Sequence, residues 1–332
     1  MAAPLLSVRD LVVEFPTRRG TLRALDKVSF DIAEGEVLGM VGESGAGKSI
    51  TGSAIIGLIE PPGRVAGGEI RLRGERIDNL PEDRMRRIRG KRIGMVFQDP
   101  LTSLNPLYTI ARQLTETIRM HLDVSETEAR SRAIELLDRV GIPAARRRLD
   151  DYPHHFSGGM RQRVVIALAL AAEPELVIAD EPTTALDVSV QAQIIDVLKE
   201  ICAERGSVVL LITHDMGVIA ETADRVAVLY AGRLAEIGPV REVIKSAEHP
   251  YTRGLMGSIP TLTQTGDRLT QIPGSMPRLN AIPTGCAFNP RCPQVMPRCR
   301  TDRPEPVARG PNRRVACWLH ARDDASPEVA NG

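Results

Sequence analysis

The chain has 332 residues, of which 43 are basic and 42 acidic, for a net charge of +1. That length predicts two domains at roughly 150 residues each, and 42% hydrophobic with 26% charged residues excludes a disordered chain. The even charge argues against a general nucleic-acid binder, and no apolar run approaches the roughly 18–20 residues of a membrane span.

The N-terminus lacks the basic and long apolar segments of an export signal, so the expected location is the cytoplasm. The first elements are strands: Leu6–Phe15 is rich in β-branched residues, and Val28–Ile32 alternates apolar with polar. Val37–Val41 is a continuous apolar run, as in a strand buried on both faces. A Gly-rich loop follows, then a helix predicted over Ser49–Ile59 and stopped by Pro61-Pro62-Gly63. Residues 64–92 hold a hairpin at 68–78 and an amphipathic helix from Glu82 to about Arg89. Their ten basic and five acidic residues read as a solvated face rather than a phosphate-binding patch.

Ile93–Phe97 is a further buried-type strand, and residues 108–140 are helical by period, with Ile134, Leu136, Leu137 and Val140 on one stripe. A helix opens at the N-cap Ser157 and ends before Pro174. Strands recur at Leu176–Ala179, Val208–Thr213 and Val226–Tyr230 with helices between them, the pattern of a mainly parallel sheet covered on both faces. After about residue 240 the chain becomes rich in Pro, Arg and Cys, which reads as an irregular unit needing a staple.

Gly42-Glu-Ser-Gly-Ala-Gly-Lys-Ser49 fits G-x-x-x-x-G-K-[ST] between a strand and a helix. Gly42, Gly45 and Gly47 let the backbone curl so that N–H groups, including that of Ser44, face phosphate oxygens, and the helix adds its positive end. Lys48, one of only five lysines, would reach the β/γ-phosphates, and the Ser49 hydroxyl would bind Mg²⁺. The strand Leu176–Ala179 leads into Asp180, placed for Mg²⁺, and Glu181, placed to polarise the attacking water. Gln98 and His214 follow strands at the same sheet edge, within reach of the metal and water or of the γ-phosphate. Ser157-Gly158-Gly159 makes a second anion-binding helix start, which suggests ATP held between two subunits.

Together these motifs resemble the ATP-binding subunit of an ABC transporter over about residues 5–240. The resemblance covers the Walker A loop (42–49), the Q-loop (Gln98), the signature (157–161), Walker B (176–180) with Glu181, the D-loop (185–187) and the switch His214. It implies an α/β P-loop NTPase with a mainly parallel sheet, an N-terminal antiparallel β subdomain and a helical subdomain at about 99–165. Domain bounds of 1–240 for the ATPase and 241–332 for a Cys-rich extension follow. It further implies a head-to-tail dimer with ATP between one Walker A and the other signature. Phe15 falls where the family stacks an aromatic on adenine, and Asp187 belongs to the D-loop at the nucleotide. The signature departs from the commonest pattern in carrying Phe156 and Met160, and Ile50 replaces a frequent hydroxyl residue.

Longer stretches, Phe97–Pro106, Tyr152–Met160, Ala179–Val188, His249–Arg253 and Gly285–Pro293, look like the dipeptide/oligopeptide importer ATPases. Importers of nickel, glutathione and antimicrobial peptides share that branch. The implied partners are two transmembrane permease subunits docking after Gln98, a second homologous ATPase and, through the permeases, a periplasmic or extracellular binding protein. The implied place is peripheral, on the cytoplasmic face of the cell membrane. Soluble ABC proteins acting on nucleic acid or ribosomes carry two such domains or a long coiled coil, and neither is present here.

Cys286, Cys292, Cys299 and Cys317 are spaced C-x5-C-x6-C-x17-C, unlike the close pairs of most zinc ribbons. Structural disulfides are not expected in a reducing compartment. Four thiolates among arginines suit a [4Fe–4S] cluster or a zinc ion, and the resemblance favours the cluster, with a redox-sensing role as the alternative to a staple. Cys202 reads as a small buried hydrophobe.

Overall fold

A computed structural model describes residues 3–182, 188–257 and 272–320. The strands are β1 Leu6–Thr17, β2 Gly20–Ile32, β3 Val37–Val41, β4 Arg64–Leu72, β5 Glu75–Arg76 and β6 Ile93–Val96, then β7 Leu176–Asp180, β8 Val208–Ile212, β9 Arg225–Tyr230, β10 Arg233–Pro239, β11 Val307–Gly310 and β12 Arg313–Val315. The helices are α1 Lys48–Ile55, α2 Glu82–Ile88, α3 Pro100–Ser103, α4 Ile110–His121, α5 Glu126–Arg139 and α6 Ala145–Arg148, then α7 Gly158–Leu170, α8 Val188–Arg205, α9 Met216–Thr222, α10 Val240–Lys245, α11 Pro250–Gly257 and α12 Arg298–Thr301.

Two sheets organise these elements. An antiparallel sheet runs β2-β1-β4-β5, and a larger one runs β11-β12-β10-β9-β3-β8-β7-β6. In the larger sheet β9, β3, β8, β7 and β6 are mutually parallel. Side chains alternate between its faces, as the period of two requires. Leu176, Ile178, Leu210 and Ile212 enter a core shared with the antiparallel sheet, while Val177, Ala179, Val209 and Leu211 enter the core shared with the helices. Both faces are buried, so these strands read as unbroken apolar runs; each fully buried branched side chain stabilises the fold by about 1.5–3 kcal/mol.

The helical region packs Leu114 and Ile118 of α4 with Ala129, Ala133 and Leu137 of α5 in one core. Thr109 and Ser125 start these two helices, their side chains accepting from the N–H of Arg112 and Glu128. The arginines of 64–92 are tied to carboxylates: Arg73 to Glu34 and Glu175, Arg92 to Glu75 and Glu175, Arg76 to Asp78. This is the solvated, ion-paired face the composition implies.

Three local expectations change. The helix after the Gly-rich loop ends at Ile55, not Ile59, because Gly57 turns left-handed at φ 68°. The strand before Gln98 ends at Val96, leaving Phe97 exposed. The run 233–239 is a strand, β10, and the extension's β12 pairs antiparallel with it, so chain beyond residue 240 extends the main sheet. Among the described residues, no helix is long and apolar enough to cross a membrane.

Candidate nucleotide site

The parallel strands all end at one edge of the sheet, and four of these ends deliver a functional residue there. β3 runs into the Gly42–Ser49 loop, β7 ends in Asp180, β8 is followed by His214 and β6 by Gln98. Open α/β sheets bind ligands at this carboxyl edge.

The loop's shape depends on its glycines. Gly42 sits at φ 155°, where an added Cβ would lie 2.4 Å from the carbonyl oxygen of Leu229; Gly47, at φ 106°, would place one 2.7 Å from Leu25. Both positions therefore exclude any larger residue. No side chain caps α1, so its first N–H groups remain open to an anion.

Lys48 is buried, its ammonium donating to the carbonyls of Gly42 at 2.8 Å and Glu43 at 3.1 Å. Burial lowers its pKa, and Glu181, Asp180 and Glu43 oppose the shift. Ser49 Oγ donates to Asp180 Oδ1 at 3.0 Å, which joins two of the three expected Mg²⁺ residues. Burial raises the Asp180 pKa despite that hydrogen bond; Glu181 adds to the rise and Lys48 counters it.

Glu181 occupies the left-handed region at φ 46°, rare for a side chain of its size, with its N–H held by the carbonyl of Ile212 at 2.8 Å. Gln98 Nε2 donates to Glu181 Oε2 at 3.2 Å, and His214 Nδ1 lies 3.4 Å from Glu181 Oε1. The loop, Gln98 and Glu181 line one cavity of about 260 Å³, with Ser44, Gly45, Gly47, Lys48 and Ser49 on its wall.

Ser157 caps α7, its hydroxyl accepting from the N–H of Met160, and Gly158 faces open space. None of Ser157, Gly158 and Gly159 lines the phosphate-loop cavity. Phe15 does not line it either; half-buried, its ring lies against Gly63. Asp187 and the rest of the D-loop lie outside the described residues, as does the Cys202 side chain.

Sequence reasoning missed Leu279, which comes from the extension and lines the same cavity. It also missed Arg291, which ion-pairs with Glu43 inside the loop at 2.9 Å. An acid within an anion-binding loop was the available signal, since such a group calls for a cation nearby.

Cys286, Cys292, Cys299 and Cys317 are free and line a second, mainly apolar cavity with Phe288 and Trp318. Burial raises the thiol pKa of Cys286 and Cys292 and pushes that of Cys317 to about 11. Among the described residues no group of three or more His, Cys, Asp or Glu side chains is set to hold a metal ion as it stands. The expected cluster therefore finds no preformed metal site among the described residues; what the four cysteines share is the lining of one small cavity.

Comparison with known proteins agrees with this architecture. Residues 25–184 match the family described as ABC transporter, and residues 235–299 match that described as oligopeptide/dipeptide transporter, C-terminal region. The dipeptide transport ATP-binding protein DppD of Bacillus subtilis is 49% identical over 95% of this chain and 94% of its own. That of Escherichia coli is 43% identical over 98% and 99%. The oligopeptide transport ATP-binding protein OppD of Bacillus subtilis is 50% identical over 88% and 82%. Among solved structures, the ATP-binding cassette MJ0796, a dimer bound to ADP and Pi, superposes with a TM-score of 0.65 at 30% identity, over 71% of this chain and 99% of its own. The chain belongs to the ABC-transporter ATP-binding proteins, in the branch of the dipeptide and oligopeptide import subunits.

Proposed function

We propose that this chain hydrolyses ATP to power uptake of di- or oligopeptides through a membrane importer. The observation that carries it is the meeting of Gln98, Glu181 and His214 beside the phosphate loop, from three separate strand ends. Glu181 takes the proton of the attacking water, His214 and Gln98 hold the carboxylate and the water in line, and Lys48 leaves its carbonyl partners to meet the β/γ-phosphates. Ser49, Gln98 and Asp180 are the residues that would hold Mg²⁺, whose role when bound is to neutralise charge on the phosphates. Phe15 would stack on the adenine.

Ser157–Gly159 lie off their own phosphate cavity, which supports a site completed by a second subunit, with Asp187 at that interface. The second ATPase is a homologous chain or another copy of this one. ATP-driven closure of the pair would move two permease subunits, with the exposed Leu107 beyond Gln98 in the docking region. The chain would lie peripherally on the cytoplasmic face of the membrane and receive cargo through an external binding protein.

In the extension, Cys286, Cys292, Cys299 and Cys317 would hold a [4Fe–4S] cluster, or zinc as the alternative, which would cross-link the irregular segment. The four cysteines lining one mainly apolar cavity support it. Ligand-stimulated ATPase assays on the assembled importer, with dipeptides, longer peptides, nickel chelates and glutathione, test the cargo. Stimulation by peptides is expected; stimulation by nickel chelates or glutathione alone would move the chain to a sister substrate.

A further inference from the structure

Glu43 is the single acid of the Gly42–Ser49 loop, and a triphosphate bound there would meet its charge. The extension answers that charge. The Arg291 side chain is only 7% exposed, and its Nη1 donates to both carboxylate oxygens of Glu43, at 2.9 and 3.1 Å. The same guanidinium donates to the hydroxyl of Tyr230 at 3.3 Å and to the carbonyl of Pro273 at 2.8 Å, which fixes its approach.

The extension grips the backbone of Glu43 as well. Its N–H donates to the hydroxyl of the fully buried Tyr251 at 2.8 Å, while its carbonyl accepts from Lys48. Tyr251 packs edge-on to Tyr230 with centroids 4.6 Å apart, and both rings meet Phe288. Glu43 is thus bound on three sides: by the phosphate-binding lysine, by an aromatic cluster and by a buried arginine next to Cys292. Removing the buried arginine of such a pair leaves the half-buried carboxylate uncompensated.

We propose that Arg291 is a positioning residue of the ATP site, neutralising Glu43 and holding the phosphate loop in the shape that receives the triphosphate. The role rests on ATP binding at that loop. The four-cysteine segment, which carries Arg291 one residue before Cys292, is then a structural part of the nucleotide site rather than an appendage.

Mg-ATP affinity of the full chain, together with KM and kcat, tests this for wild type, Arg291→Met and the double variant Glu43→Gln/Arg291→Met. Arg291→Met should weaken ATP binding and raise KM roughly tenfold, the effect of a like charge a few ångströms away under water-like screening. Adding Glu43→Gln should restore the affinity to within about threefold, because the uncompensated charge is gone. If Arg291→Met does not fold, Arg291→Gln keeps an amide donor for the 272–274 carbonyls and gives the same comparison. Wild-type affinity in the single variant, or a double variant as weak as the single, would overturn the positioning role. A wild-type chain that binds no Mg-ATP would overturn the nucleotide reading beneath it.

Discussion

His214 Nδ1 lies 3.4 Å from Glu181 Oε1, although the two residues end different strands of the sheet. Gln98 holds the other oxygen of the same carboxylate at 3.2 Å. A carboxylate bonded by Gln98 on one oxygen and flanked by His214 at the other, on a backbone already forced to φ 46°, is aimed before any ligand arrives.

Lys48 carries the phosphate contact at a cost to the empty protein. Burial lowers its pKa, because the fold bears the cost of desolvating the charged ammonium. That cost is relieved only as pH rises through the lowered folded value. Lys48→Met should lose ATP affinity by about a hundredfold, two charge-assisted hydrogen bonds' worth, without lowering the melting temperature of the ligand-free chain. Calorimetry with and without Mg-ATP reads both effects.

Asp26 receives Arg233, Arg303 and Arg23 at 2.6, 2.7 and 3.2 Å. Burial pushes its pKa up, but the hydrogen bond and charge of Arg233, with Arg303 and Arg23, outweigh burial and hold it below the ordinary value. The stability it contributes is therefore present above its unfolded pKa of about 3.9 and is lost as pH falls through the lower folded value. Asp26→Asn should cost about 1.5–3 kcal/mol at neutral pH and flatten the acid limb of stability against pH. Urea unfolding between pH 2 and 7 measures it.

The raised thiol pKa values of Cys286, Cys292 and Cys317 predict slow chemistry at these three in the metal-free chain. With Cys317 pushed to about 11, little thiolate exists near neutrality. Alkylation at pH 7.5 should be slow and should accelerate on denaturation, and anaerobically purified protein should hold about four iron and four sulfide per chain. Zinc without iron would select the alternative metal.

Much of the site was legible because its parts are local. The Walker A loop and the Asp180-Glu181 pair each sit within a few consecutive residues, after apolar runs that could only be buried strands. The β10 strand was not, because Glu236 interrupts its apolar pattern. That carboxylate is fully buried, compensated by Arg313 at 2.6 Å and by the N–H groups of Glu248 and His249. The Glu43–Arg291 pair spans 248 residues, and no local period encodes such a contact.

The most direct measurement is the ATP turnover of Glu181→Gln in the assembled importer, alongside its ATP affinity. The amide keeps the shape of the side chain but accepts no proton, so ATP should bind with wild-type affinity while turnover falls by about a hundredfold or more and peptide accumulation stops. Wild-type turnover in that variant would contradict the role given to Glu181 and the site built around it.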